Sequence, residues 1–276
     1  MAQTESALPN QIDPDSLVAL PRTSGVYIFK GEGALPLYIG KSVDIRSRVL
    51  AHLRAQDEAE MIAQSRRVDF IETAGEIGAL LLEARLIKQQ SPLFNIRLRR
   101  LRNLCSIRLT EKAEGVTPEV VSGKDVAVDQ ADGLYGLFSS VHAAQGKLRE
   151  LADQHRLCLG VLGLEKISKR GCFGLQVRTC LGACVGKEDR TEHDQRLFSA
   201  LADMKVHAWP FPGEVDLVEQ SGDWVQRHRL HNWRYLGTWC SRTGKLNEQE
   251  QHAFDFDTYK ILVKPIMLGK AMVQLV

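Results

Sequence analysis

A tight hairpin with a tyrosine in each arm is the feature that most limits how this chain can fold. Val26-Tyr27-Ile28-Phe29 and Leu37-Tyr38-Ile39 are short β-branched and aromatic runs, joined by a Gly/Pro-containing connection over residues 31–36. Side chains alternate across a strand. Val26 and Ile28 therefore share one face with Tyr27 opposite, and Leu37 and Ile39 share one face with Tyr38 opposite. The simplest hairpin buries the aliphatics and puts both phenols on the other face. Ser42 is a good N-cap for a helix over 42–54, with Ile45, Val49 and Leu53 as its buried stripe. Residues 67–72 read as a strand, and 75–90 as a helix stopped by Pro92. The order β-β-α-β-α predicts an α/β unit with a small mixed or antiparallel sheet flanked by helices.

The rest of the chain divides by composition. Residues 1–16 read as a loose tail, because Asn10, Asp13 and Pro14 break any apolar period. Three units are expected: 17–105; a linker module with a cysteine-rich region, 106–190; and a small α+β C-terminal region, 191–276. Within them, 134–138 reads as a strand, 141–155 and 196–206 as helices, and 233–240 and 259–263 as aromatic-rich strands. A docking role is the expectation for the last region, which carries no readable chemistry. Net charge is only +2, so any nucleic-acid signal must come from local clusters. No apolar run reaches the ~18–20 residues needed to span a bilayer, and the polar, acidic N-terminus is not a secretory signal. The expected location is cytoplasmic, where six cysteines are poor candidates for structural disulfides.

Glu83 is the most telling single residue. Its helix neighbours at three and four positions are Ala79, Leu80, Leu86 and Ile87, all apolar, while Arg85, Lys88 and Gln89 take the solvated face. A carboxylate on an apolar face needs compensation, and a divalent cation is one natural partner; a backbone donor or an arginine is another. Lys41, Asp44, Arg48 and His52 follow one polar line along the first helix. Arg48 either pairs with Asp44 at the surface, worth about 0.3–0.5 kcal/mol, or forks onto a phosphate. Arg46 is the alternative phosphate binder, and His52 reads as a helix-surface histidine. A phenol titrates near 10, so Tyr27 or Tyr38 needs help to serve as a base.

Four of the six cysteines, Cys158, Cys172, Cys180 and Cys184, form the pattern C-x13-C-x7-C-x3-C. Only the last spacing suits zinc pairs; four thiolates also suit a [4Fe–4S] cluster. Lys169 and Arg170 belong to a basic patch inside that loop. A second basic run, Arg97, Arg99, Arg100 and Arg102, is placed to track a DNA backbone. Trp209, Trp224, Trp233 and Trp239 read as core of the C-terminal part rather than as base-stacking platforms.

Gly25-Val26-Tyr27, Tyr38-Ile39-Gly40-Lys41, Arg48, Glu83 and Asn95 together resemble the GIY-YIG nuclease domain, with valine at the middle of the first triad. The resemblance extends to the excinuclease C subunit of nucleotide excision repair, through Arg178-Thr179-Cys180-Leu181-Gly182-Ala183-Cys184-Val185-Gly186. It is nearest to the short homologues with a single nuclease domain. It implies Tyr38 as general base, Glu83 as ligand of one Mg²⁺ or Mn²⁺, Arg48 and Lys41 on the phosphate or base, and Tyr27 and Asn95 in support. It favours [4Fe–4S] over Zn²⁺. The implied activity is hydrolytic incision of damaged double-stranded DNA on the 3′ side, leaving a 5′-phosphate and a 3′-hydroxyl. The implied partner is the B subunit, loaded on DNA by the A subunit. Two other readings are a non-catalytic DNA-binding adaptor and a free-standing nuclease on branched DNA.

Overall fold

The computed structural model describes residues 11–95, 104–122, 133–248 and 254–276. The chain divides into two compact units. One joins residues 1–101 to 211–276, and the other spans 102–210.

The first unit opens with α1 (Pro14–Val18), in the stretch expected to be a loose tail. The residues taken as breakers build this helix: Asp13 accepts from Asp15 N as N-cap, and Pro14 occupies the first turn. Strands β1 (Gly25–Lys30), β2 (Pro36–Ser42) and β3 (Arg67–Glu72) form an antiparallel sheet in the order β2-β1-β3. Helices α2 (Ile45–His52) and α3 (Ala59–Gln64) lie between β2 and β3, and α4 (Glu76–Gln90) follows. Both faces of the sheet are buried. Val26, Ile28 and Ile39 pack with Leu86 and Ile87 of α4. On the other face Tyr27, Phe29 and Leu37 pack with Ile45, Val49 and Met61. The phenols do share a face, as alternation predicts, but it is a second core. Leu37 joins them because a bulge between Phe29 and Lys30 shifts the register. The α2 N-cap is Asp44, not Ser42: its carboxylate accepts from Ser47 N at 2.8 Å, while Ser42 bonds the Asp44 backbone.

The second unit holds β4 (Cys105–Lys112), β5 (Gly115–Ser122) and β6 (Leu134–Phe138) in the order β5-β4-β6. The helices α5 (Val141–His155), α6 (Phe173–Gln176) and α7 (Arg190–Leu201) follow. Leu197 and Leu201 of α7 share a core with Leu148 and Leu151 of α5. This unit therefore continues to residue 210 rather than ending at the expected 190.

Returning to the first unit, β7 (Val215–Ser221), β8 (Trp224–His231), β9 (Arg234–Cys240) and β10 (Lys245–Glu248) build an antiparallel sheet. It is completed, after α8 (Phe256–Met267), by β11 (Met272–Leu275), in the order β10-β9-β8-β7-β11. The expected strand at 259–263 is part of α8: Tyr259, Leu262 and Ile266 recur at helical spacing on its buried side. Trp224 and Trp233 are buried, as expected. No helix among the described residues is long and apolar enough to cross a membrane.

Candidate active site

The two glycines of the motifs exist because backbone and ring come too close for a side chain. Tyr27 pairs directly with Gly40 across β1 and β2, and its phenol lies over that glycine, so a Cβ there would overlap the ring. A Cβ on Gly25 would run into the Ile71 carbonyl and Glu72 of β3. One ring buried across the hairpin thus fixes the register that brings Tyr38 opposite Phe29.

Asn95 supports this geometry from outside. Its Oδ1 accepts from Ile39 N and its Nδ2 donates to Ile39 O, both at 2.8 Å. Leu93 N and Phe94 N donate to Pro36 O and Leu37 O in the same segment. The run after α4 thus closes the edge of β2 and holds Tyr38-Ile39-Gly40 in place.

Glu83, on α4, reaches the end of β2, where Lys41 N donates to its Oε1 at 3.1 Å. Burial raises its carboxyl above the usual range, against that amide and the nearby Lys41 charge. Among the described residues Oε2 has no partner. The Lys41 ammonium meets Glu76 at 2.5 Å on the surface.

The phenols are pushed the same way. Burial, then neighbouring Tyr38, raises Tyr27 far above the ordinary phenol value, with Arg48 beside it opposing. Burial, then the charges of Glu83 and Glu58, raises Tyr38. Both are neutral hydroxyls at neutral pH. Arg48 is exposed on α2 and does not pair with Asp44, whose carboxylate caps the helix and meets Arg22 at 3.7 Å.

His52 is the residue that sequence reasoning misplaced. It is 2% exposed, with its ring against Tyr27, Phe29 and Tyr38. Its Nε2 lies 2.6 Å from the Tyr27 hydroxyl, and Nδ1 meets the Glu58 carboxylate in a short hydrogen bond. Burial lowers its pKa although Glu58 opposes the shift, so the ring is neutral. Nδ1–H then donates to Glu58 and Nε2 accepts from Tyr27. Its position four residues after Arg48 was legible; Glu58 carried no signal.

Arg46 is committed elsewhere. It donates to the carbonyls of Leu17 and Val18 at 3.2 and 3.1 Å, closing the end of α1, so the expected phosphate contact is not available to it as placed. Arg97, Arg99, Arg100 and Arg102 lie outside the described residues.

In the second unit the four cysteines converge. Cys158 and Cys180 lie 3.6 and 3.5 Å, sulfur to sulfur, from Cys172, and all three are buried. The half-buried Cys184 accepts from Cys172 N at 3.4 Å. All are free thiols. Burial pushes the Cys180 and Cys184 thiols up to about 12, while hydrogen bonds from the Leu175 amide and the other thiols hold Cys172 below the usual range against burial. Lys169 and Arg170 stand exposed on the adjoining loop.

Comparison with known proteins accounts for all three segments. Residues 23–96 match the UvrC-like GIY-YIG domain, 104–203 the UvrC/Cho excinuclease middle domain, and 214–276 the excinuclease Cho C-terminal domain. Excinuclease cho of Escherichia coli K12 is 50% identical over 257 residues, covering 91% of this chain and 84% of the relative. UvrABC system protein C of Deinococcus radiodurans is 31% identical over 87% of this chain and 38% of its own length. The GIY-YIG N-terminal endonuclease domain of UvrC from Thermotoga maritima, solved with its catalytic magnesium, is 33% identical over 30% of this chain and 93% of that domain, with a TM-score of 0.28. The chain belongs to the UvrC/Cho excinuclease family of GIY-YIG endonucleases.

Proposed function

We propose that this protein is a metal-dependent endonuclease that cuts damaged double-stranded DNA on the 3′ side of the lesion, by hydrolysis to a 5′-phosphate and a 3′-hydroxyl. One observation carries the reading. A largely buried carboxylate, Glu83, is held by a single backbone amide at the strand end that also presents Tyr38, with Tyr27 and Arg48 beside it. Such a group is out of place in a purely structural sheet edge and suits a hard divalent ion, Mg²⁺ or Mn²⁺. Bound there, the ion supplies Lewis-acid stabilisation of the departing 3′ oxygen.

The remaining work falls to this chain's own residues. Tyr38 takes the proton of the attacking water. A neutral phenol cannot do so unless its own proton has somewhere to go. The buried set behind it offers a route: Tyr27 lies against Tyr38, its hydroxyl bonds Nε2 of neutral His52, and Glu58 steadies the imidazolium. Arg48 binds the phosphoryl oxygens and neutralises charge developing on them. Lys41 leaves Glu76, a surface pair of little energy, for the phosphate. Asn95 keeps Tyr38 and Gly40 in register. DNA contacts by Arg97, Arg99, Arg100, Arg102, Lys169 and Arg170 belong to the same proposal. So does action with the damage-recognition A and B subunits, which the name of the Deinococcus relative supports.

The thiol set fits a four-thiolate metal centre. The resemblance points to [4Fe–4S]. The sulfur spacing favours a second reading, zinc: a tetrahedral ion with bonds of about 2.3 Å sets its ligands roughly 3.8 Å apart, and a cubane spreads them further. Anaerobic purification separates the two: brown protein with iron and sulfide, or colourless protein with one zinc. For the nuclease centre, incision of an end-labelled damaged duplex in Mg²⁺ tests the reading; EDTA and Glu83→Gln should each abolish it.

A further inference from the structure

The helix that carries Glu83 has no cap of its own. Its N-cap position is Gly75, which has no side chain to offer the first-turn amides. The C-terminal sheet fills the gap. Glu219 of β7 accepts from Ile77 N at 2.8 Å and Gly78 N at 2.6 Å, the two donors an N-cap residue normally serves. His228 of β8 bonds the same carboxylate through Nε2 at 3.1 Å, and its Nδ1 lies 2.7 Å from Thr238 Oγ1. Gln226 accepts from Ala74 N at 2.9 Å just before the helix.

The glycines record this fit. A Cβ on Gly75 would overlap the Glu219 carboxylate, and one on Gly78 would press on the His228 ring. At the other end of α4, Lys88 pairs with Asp255 at 2.5 Å and Asp257 at 2.9 Å, on or beside α8. The side of α4 bearing Lys88, expected to face solvent, is thus held by the C-terminal region. Burial alone would raise the Glu219 carboxyl, but His228 and the two amides bring it below the usual range, so the cap carries a full negative charge at the positive end of the helix.

We infer that the C-terminal sheet is part of the nuclease centre, with Glu219 as a positioning residue that caps α4 and so sets Glu83 against Lys41 N at the end of β2. This rests on the proposed metal role of Glu83 and adds that the metal site depends on residues more than a hundred positions away in sequence. It assigns the region a task other than docking.

The test uses the full chain without DNA and follows Mn²⁺ binding by electron paramagnetic resonance, beside thermal melting in EDTA and the Mn²⁺ dependence of incision. Glu83→Gln is the control: if it binds Mn²⁺ like wild type, the proposed metal role fails, whatever Glu219 does. With Mn²⁺ binding lost in that control, Glu219→Gln should bind Mn²⁺ roughly tenfold more weakly. Half-maximal incision should need roughly tenfold more metal, with the rate at saturating metal close to wild type. Glu219→Ala clears the space over Gly75, so Gly75→Ser in that background supplies a local cap and should restore most of the Mn²⁺ affinity. Should Glu219→Gln fail to fold, Glu219→Asp, which keeps the charge at shorter reach, carries the same comparison. Wild-type Mn²⁺ affinity in a Glu219 variant that only melts earlier would overturn the inference and leave Glu219 as a clamp.

Discussion

Glu83 and His52 show what single residues contribute. Glu83 is held with its carboxyl raised by burial, so its charge is a burden on the metal-free fold and a resource once a cation arrives. Glu83→Gln keeps an oxygen for Lys41 N and removes the charge. It is therefore expected to melt in EDTA at or above the wild-type temperature while losing incision; a fall of several degrees would contradict the burial argument. His52 works in the other direction. Its pKa is lowered by burial, so the unfolded chain binds the proton first and stability is fully present above the ordinary histidine value of about 6.5. That stability is lost as pH falls through the folded-state value. Neutral Nε2 is also the form that accepts from Tyr27. The incision rate should fall on the acid side of about pH 6.5, and His52→Ala should lower it roughly a hundredfold at neutral pH and flatten that limb. A wild-type pH profile in His52→Ala would remove it from the relay.

At the scale of elements, hydrogen-bonding caps and close approaches set the geometry. Asp44 fixes where α2 begins and hence where Arg48 and His52 fall, so Asp44→Ala should lower the midpoint of urea unfolding. Gly40→Ala places a methyl where the Tyr27 ring lies and should cost about 1–3 kcal/mol with loss of incision. The hairpin, the strand at 67–72 and the α4 helix were legible because their periodicities are strong and Pro92 marks an end. Strand alternation placed both phenols on one face. It did not reveal that α2 and α3 cover that face, because tertiary burial leaves no local mark. The same limit explains His52, whose helical position was clear and whose burial was not. Tyr259, Leu262 and Ile266 were misread because a short aromatic-aliphatic run fits either period until its length is known. Asp13 and Pro14 were read as breakers although the same residue types start helices.

At the scale of the molecule, the family's three matched segments are distributed over two compact units, with the nuclease and C-terminal segments in one. Sequence order hid this, since contacts such as Glu219 to Gly78 join distant positions. In the other unit Cys158, Cys180 and Cys184 lie against Cys172, so under the proposed metal role Cys172→Ser is expected to lower the protein's metal content and its melting temperature, checked by metal analysis and calorimetry. The most direct measurement is incision of an end-labelled damaged duplex in Mg²⁺, with and without the A and B subunits, comparing wild type with Glu83→Gln. The account predicts one cut on the 3′ side that needs those subunits and vanishes in the variant. Cutting that persists in Glu83→Gln, or an intact duplex with wild type and both subunits present, would contradict it.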